Sequence, residues 1–118
     1  MTSQQPADGR SPRRKRIEAM LSEDPDDTFL RYSLALAMEA DGELDGCLDI
    51  LESLGRGSPP YLPALQMAGQ FLAKRGRLAA ARQALREGIE EGRRQGKAHA
   101  VAEMAELLAS LGAAGESD

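Results

Sequence analysis

The chain has 118 residues, of which 42% are apolar and 3% aromatic, a net charge of −4 and one cysteine, Cys47. That length suits one compact domain burying about two thirds of the surface its unfolded chain exposes. A single cysteine excludes an internal disulfide, no stretch of about 18 apolar residues occurs that could span a bilayer, and the charge lacks the basic excess that binding nucleic acids or anionic membranes usually needs.

With so few aromatics, the core has to be built from Leu, Ala, Met, Ile and Val. Ala and Leu favour helices, and the β-branched residues that favour strands are scarce. Residues 1–10 are polar, with Pro6 and Gly9, and read as a disordered tail. Ser11-Pro12 can cap and open a helix on which Ile17, Met20 and Leu21 share one face. Asp24-Pro25 stops it, because a proline disfavours helical geometry in the residue before it. A second helix starts at Asp26 or Asp27, carries Phe29, Leu30, Leu34, Leu36, Ala37 and Met38, and ends at Asp41-Gly42. Leu44, Cys47, Leu48, Leu51 and Leu54 recur at helical spacing as a third. A fourth runs from about Leu62 to Arg75, with Pro63 in its first turn. A fifth, Arg77 to Gln95, buries Leu78, Ala81, Leu85, Gly88 and Ile89. A sixth, Ala98 to Leu111, carries Val101, Met104, Leu107, Leu108 and Leu111. Residues 113–118 read as a second disordered tail.

Self-similarity at a fixed offset organises these helices. Pro25 and Pro59 are 34 residues apart, as are Gly42 and Gly76, Leu44 and Leu78, Cys47 and Ala81, Leu51 and Leu85, and Ala35 and Gly69. Each unit reads helix, glycine turn, helix, proline. On these residues the chain resembles the tetratricopeptide repeat family. The resemblance implies an all-α fold of tandem antiparallel helix hairpins, about six helices stacked as a right-handed solenoid over residues 11–112. Residues 28–59 and 62–93 match two repeats, 11–22 resemble a degenerate half-repeat, and 98–111 resemble the capping helix. Arg31 and Leu65 stand where the family often has an aromatic early in the first helix. Leu51 and Leu85 replace the aromatic usual in the second.

The resemblance also implies that the first helix of each repeat lines a concave groove. Phe29, Tyr32, Ser33, Leu36 and Glu39 would face it from one repeat, and Gln66, Met67, Gln70 and Lys74 from the next. Phe29, Leu36 and Met67 fit core and groove alike; Tyr32 is the best single anchor, since tyrosine is enriched among interface hot spots. Such a floor suits a peptide or helix of a partner protein. Some family members clamp a chaperone's C-terminal carboxylate here; Tyr32, Leu36 and Gln66 occupy those positions, so that ligand is not expected.

Charge is uneven. Glu23 to Glu52 holds ten acidic residues and one basic, Arg31; Arg56 to Lys97 holds nine basic and three acidic. Solvated helix faces explain this. Association of acidic half with basic half would also use it, giving a homodimer. Short arrays leave apolar ends, so Leu108 and Leu111 are candidate oligomer contacts. The run Arg13-Arg14-Lys15-Arg16 could touch an anionic partner, but it lacks interleaved aromatics, and no nucleic-acid partner is expected. One His and one Cys do not make a metal site, and Cys47 reads as a small core residue. Neither catalytic residues nor a cofactor is expected. Residues 1–16 contain no apolar run, so the expected place is a reducing cytoplasm, with no membrane partner. The leading functional expectation is a non-enzymatic adaptor or scaffold; the second is self-assembly with the groove or end faces filled by another copy.

Overall fold

A computed structural model describes residues 8–112. Residues 1–7 of the tail expected at 1–10, and the whole tail expected at 113–118, lie outside the described residues. Six α-helices, with no strand among the described residues, follow in order: α1 (Pro12–Glu23), α2 (Thr28–Ala40), α3 (Leu44–Gly55), α4 (Leu62–Lys74), α5 (Leu78–Arg94) and α6 (Ala98–Ser110). They fall into two compact units, the first ending at Leu51 and the second beginning at Glu52.

The starts of α1 and α2 are written in short polar residues, whereas α4, α5 and α6 begin at Tyr61, Arg77 and Lys97 without a side-chain cap. Ser11 Oγ accepts from Arg14 N at 3.2 Å, with Pro12 in the first turn. Asp27 Oδ1 accepts from Leu30 N at 2.8 Å. Each satisfies one of the amide donors left open at a helix start, a contribution of about 1 kcal/mol. The stops are glycines with positive φ: Gly42 at 87°, Gly76 at 77° and Gly96 at 70°. All three make the same paired turn. Gly42 N donates to Glu39 O and Glu43 N to Met38 O; Gly76 N to Ala73 O and Arg77 N to Leu72 O; Gly96 N to Arg93 O and Lys97 N to Gly92 O. This is the Schellman arrangement, which closes the last carbonyls of a helix while reversing the chain.

In the first unit α1 packs against α2. Ile17 is buried, but Met20, expected on the same face, is 52% exposed. The reason is angular. Arg14, Ile17 and Leu21 lie within an arc of about 60°, and Met20 falls outside it on the far side of Ile17. The buried face therefore includes an arginine and omits a methionine. Ala35 and Ala37 of α2 and Leu44, Cys47 and Leu51 of α3 are buried.

In the second unit α5 packs against both α4 and α6. Leu85, Ile89 and Met104 form its centre, with Ala100, Val101, Leu107, Leu108 and Leu111 packed around them. Each fully buried aliphatic side chain contributes about 1.5–3 kcal/mol. Gly69 of α4 permits this packing: a Cβ there would stand 2.5 Å from Leu85 Cδ2 and 2.7 Å from its Cγ. Gln95 Nε2 donates to Pro60 O at 3.0 Å, fastening the end of α5 to the segment before α4.

Candidate partner-binding faces

α2 carries the first set of expected contact residues on one side. Phe29, Ser33 and Leu36 recur at i, i+4 and i+7, with Tyr32 and Glu39 along one edge. Phe29 is 65% exposed; Tyr32, Ser33, Leu36 and Glu39 are half-buried. Ala35 and Ala37 border this face on its two sides and are fully covered. Phe29 thus stands in solvent rather than in the core.

α4 carries the second set. Gln66, Gln70 and Lys74 are one turn apart each, with Met67 beside them. Gln66 and Met67 are half-buried, whereas Gln70 and Lys74 are exposed. Gln66 has an internal partner that its sequence position did not announce: its Nε2 donates to Glu103 Oε1 of α6 at 3.2 Å. Glu103 also lies 3.2 Å from His99 Nε2.

Leu108 and Leu111 are half-buried and pack on the Leu85, Ile89 and Met104 centre, so much of their apolar surface is used within the unit.

The basic run of α1 divides. Arg13, Lys15 and Arg16 are exposed, but Arg14 is buried. Its Nε donates to Glu18 Oε2 at 3.1 Å and its Nη1 to Glu43 Oε2, with Asp41 Oδ2 at 3.9 Å. Asp41 also accepts from Ser11 N at 3.0 Å. The guanidinium therefore ties α1 to the turn between α2 and α3. These contacts, Glu43's first, raise Arg14 above the ordinary arginine range. Residues 8–10, expected in a tail, join the same network. Arg10 N donates to Asp8 Oδ1 at 2.9 Å and its guanidinium bridges Asp8 and Glu18. The Arg10 amide and guanidinium, with Lys15, hold the Asp8 carboxyl down to about 2. The spacing of Arg14 and Glu18 was visible as an i, i+4 pair; the partners in the turn some thirty residues on were not.

An open groove runs between α5 and α6, bordered by Arg86, Glu90 and Arg93 on one side and by Ala105, Leu108 and Ala109 on the other. Its α6 side is alanine where Ala105 and Ala109 stand one turn apart, on a helix that is alanine-rich throughout.

Cys47 is buried, and burial followed by the nearby Glu39 charge pushes its thiol up to about 12. That is the behaviour of a small core residue, not of a nucleophile. Among the described residues no group of three His, Cys, Asp or Glu side chains could hold a metal ion, and no helix is long and apolar enough to cross a membrane. The chain matches no family model, no curated protein and no solved structure with which it was compared.

Proposed function

We propose that this chain is a non-enzymatic adaptor of the tetratricopeptide type, whose α2 face binds a peptide or helix of a partner protein. The observation that carries the reading is Phe29. Among the described residues Met20 and Phe29 are the large hydrophobic side chains left exposed, and Phe29 stands on the face that holds Tyr32, Ser33 and Leu36. An exposed ring beside half-buried Tyr and Leu has the form of an anchor awaiting a pocket or an apolar helix face. Removing its exposed area from water would contribute about 2 kcal/mol at 25 cal/mol per Å². Tyr32 adds a half-buried aromatic ring along the edge of this face.

Tyr32→Ala and Phe29→Ser are expected to keep the helical circular dichroism and unfolding midpoint of the parent while losing the partner. Loss of fold in both would transfer these side chains to the core and overturn the proposal. Self-assembly through Leu108 and Leu111 has less surface to draw on, because both pack inward. Sedimentation across a concentration series separates the two readings: a monomer favours the adaptor, and a salt-insensitive dimer favours self-assembly.

A further inference from the structure

α1 and α5 correspond residue by residue. Arg14 and Arg82 stand two periods of 34 residues apart, as do Ile17 and Leu85, and Met20 and Gly88. The first two pairs are buried in both helices. On α5 the column Ala81, Leu85, Gly88 and Gly92 receives α4 on one side and α6 on the other. A Cβ at Gly88 would stand 3.3 Å from Leu65 Cβ of α4 and closer still to Met104 Sδ of α6. At Gly92 it would stand 3.8 Å from Leu62 Cδ1 of α4 and 2.6 Å from Val101 Cγ2 of α6. The same column on α1 reads Arg13, Ile17, Met20 and Asp24. α2 packs on α1 as α6 packs on α5. The side that α4 covers on α5 is open on α1: Met20 is 52% exposed, and Arg13, Arg16 and Asp24 are exposed.

Charge on this open side is ordered along the helix. Arg13 and Arg16 stand near its start, Glu23 and Asp24 at its end, and none of the four makes an ion pair among the described residues. The other cations of the segment already have partners, Arg10 and Lys15 in Asp8 and Arg14 in Glu18 and Glu43. This order opposes the dipole of α1 itself, whose positive end is at its start. It suits the dipole of an antiparallel neighbour.

We infer that α1 docks a helix of a partner protein, antiparallel to it, in the place that α4 takes against α5. The packing of α4 on α5 fixes the form of the occupant. Met20 stands where α5 has a glycine, so the partner helix carries alanine or glycine opposite it, where α4 has Leu65. Lysine or arginine in the first turn of the partner meets Glu23 and Asp24. Glutamate or aspartate in its last turn meets Arg13 and Arg16. A helix with these charges exchanged brings like charges together at both ends. The inference uses no residue of the proposed α2 face, so it stands or falls separately.

The test uses the full chain and labelled synthetic helices of about 16 residues, long enough to offer four turns. The first peptide has an alanine and leucine stripe with alanine at its centre, lysine in its first turn and glutamate in its last. The second exchanges the lysines and glutamates. That exchange makes it the better helix on its own, so a preference for the first comes from the protein. Fluorescence anisotropy is expected to show the first bound at least about tenfold more tightly than the second. Arg13→Glu with Arg16→Glu should cancel the preference. Those two changes suit the dipole of α1, so the double variant keeps its fold. Amide shifts on titration should centre on residues 13–24. The Tyr32→Ala variant should bind the first peptide as the parent does, which separates this face from the α2 face. No binding of the first peptide, equal binding of both, an unchanged preference in the double variant, or shifts centred elsewhere would overturn the inference. So would self-association that the double variant removes, which would give the face to a second copy.

Discussion

Two glycines inside helices offer opposite outcomes for the same substitution. Glycine in a helix interior is less favourable than alanine by about 1 kcal/mol, so Gly→Ala should stabilise unless the added methyl has no room. At Gly46 of α3 the new Cβ would press on Met38 Cε, the free end of a flexible side chain, and on nothing else at close range. Ala80 already stands 34 residues on, at the third position of α5 as Gly46 is the third of α3. Gly46→Ala should therefore gain about 0.5–1 kcal/mol. At Gly69 of α4 the new Cβ would stand 2.5 Å and 2.7 Å from Leu85 Cδ2 and Cγ. Leu85 is fully buried at the centre of the second unit and has nowhere to swing. Overpacking of this kind costs about 1–3 kcal/mol, which exceeds the gain in propensity and leaves Gly69→Ala less stable by about 1 kcal/mol. Urea unfolding followed by circular dichroism at 222 nm reads both. With m of about 2 kcal/mol/M the midpoints should move by about 0.5 M in opposite directions. A Gly69→Ala chain as stable as Gly46→Ala would refute the packing of α4 on α5 described here.

Arg14→Met keeps the aliphatic stem and removes the charge that joins α1 to the turn before α3. It should lower stability by about 1–2 kcal/mol, the small end for a buried pair because the Glu43 side chain is 46% exposed, and the loss should shrink in high salt. Urea midpoints at low and high salt check it. Cys47 should resist thiol reagents at pH 8 in the native chain and react promptly in urea, as a thiol-release assay would show. Its raised pKa means that the folded state holds the proton longer than the unfolded state. That contribution to stability is complete below about pH 8.5, the usual thiol value, and is lost as pH rises toward about 12.

The helices were legible because their punctuation is local. Ser11, Asp27, Gly42, Gly76 and Gly96 act through their own hydroxyls, carboxylates and φ angles, so a reader of the chain meets the cause next to the effect. Leu51, Leu85, Cys47 and Ala81 were legible as core because the period repeats them on one face, and all four are fully buried. What escaped depends on distance in sequence. Arg14 reads as one of four basic residues until Asp41 and Glu43 are brought to it. Met20 reads as core until the arc centred on Arg14, Ile17 and Leu21 excludes it. Gln66 reads as a free contact until Glu103 meets it. On α2, the family resemblance implied one face for Phe29, Tyr32, Ser33 and Leu36, but only the structure separates the exposed ring of Phe29 from the half-buried residues around it.

The α2 face is the centre of this account, and a photo-crosslinking amino acid in place of Phe29 tests it most directly. With the same group at exposed Gln83 of α5 as the reference, a discrete adduct with another protein is expected from the Phe29 position, lost on adding Tyr32→Ala while the fold persists. Adducts from Phe29 that are no stronger than those from Gln83, or that join only two copies of this chain, would contradict it.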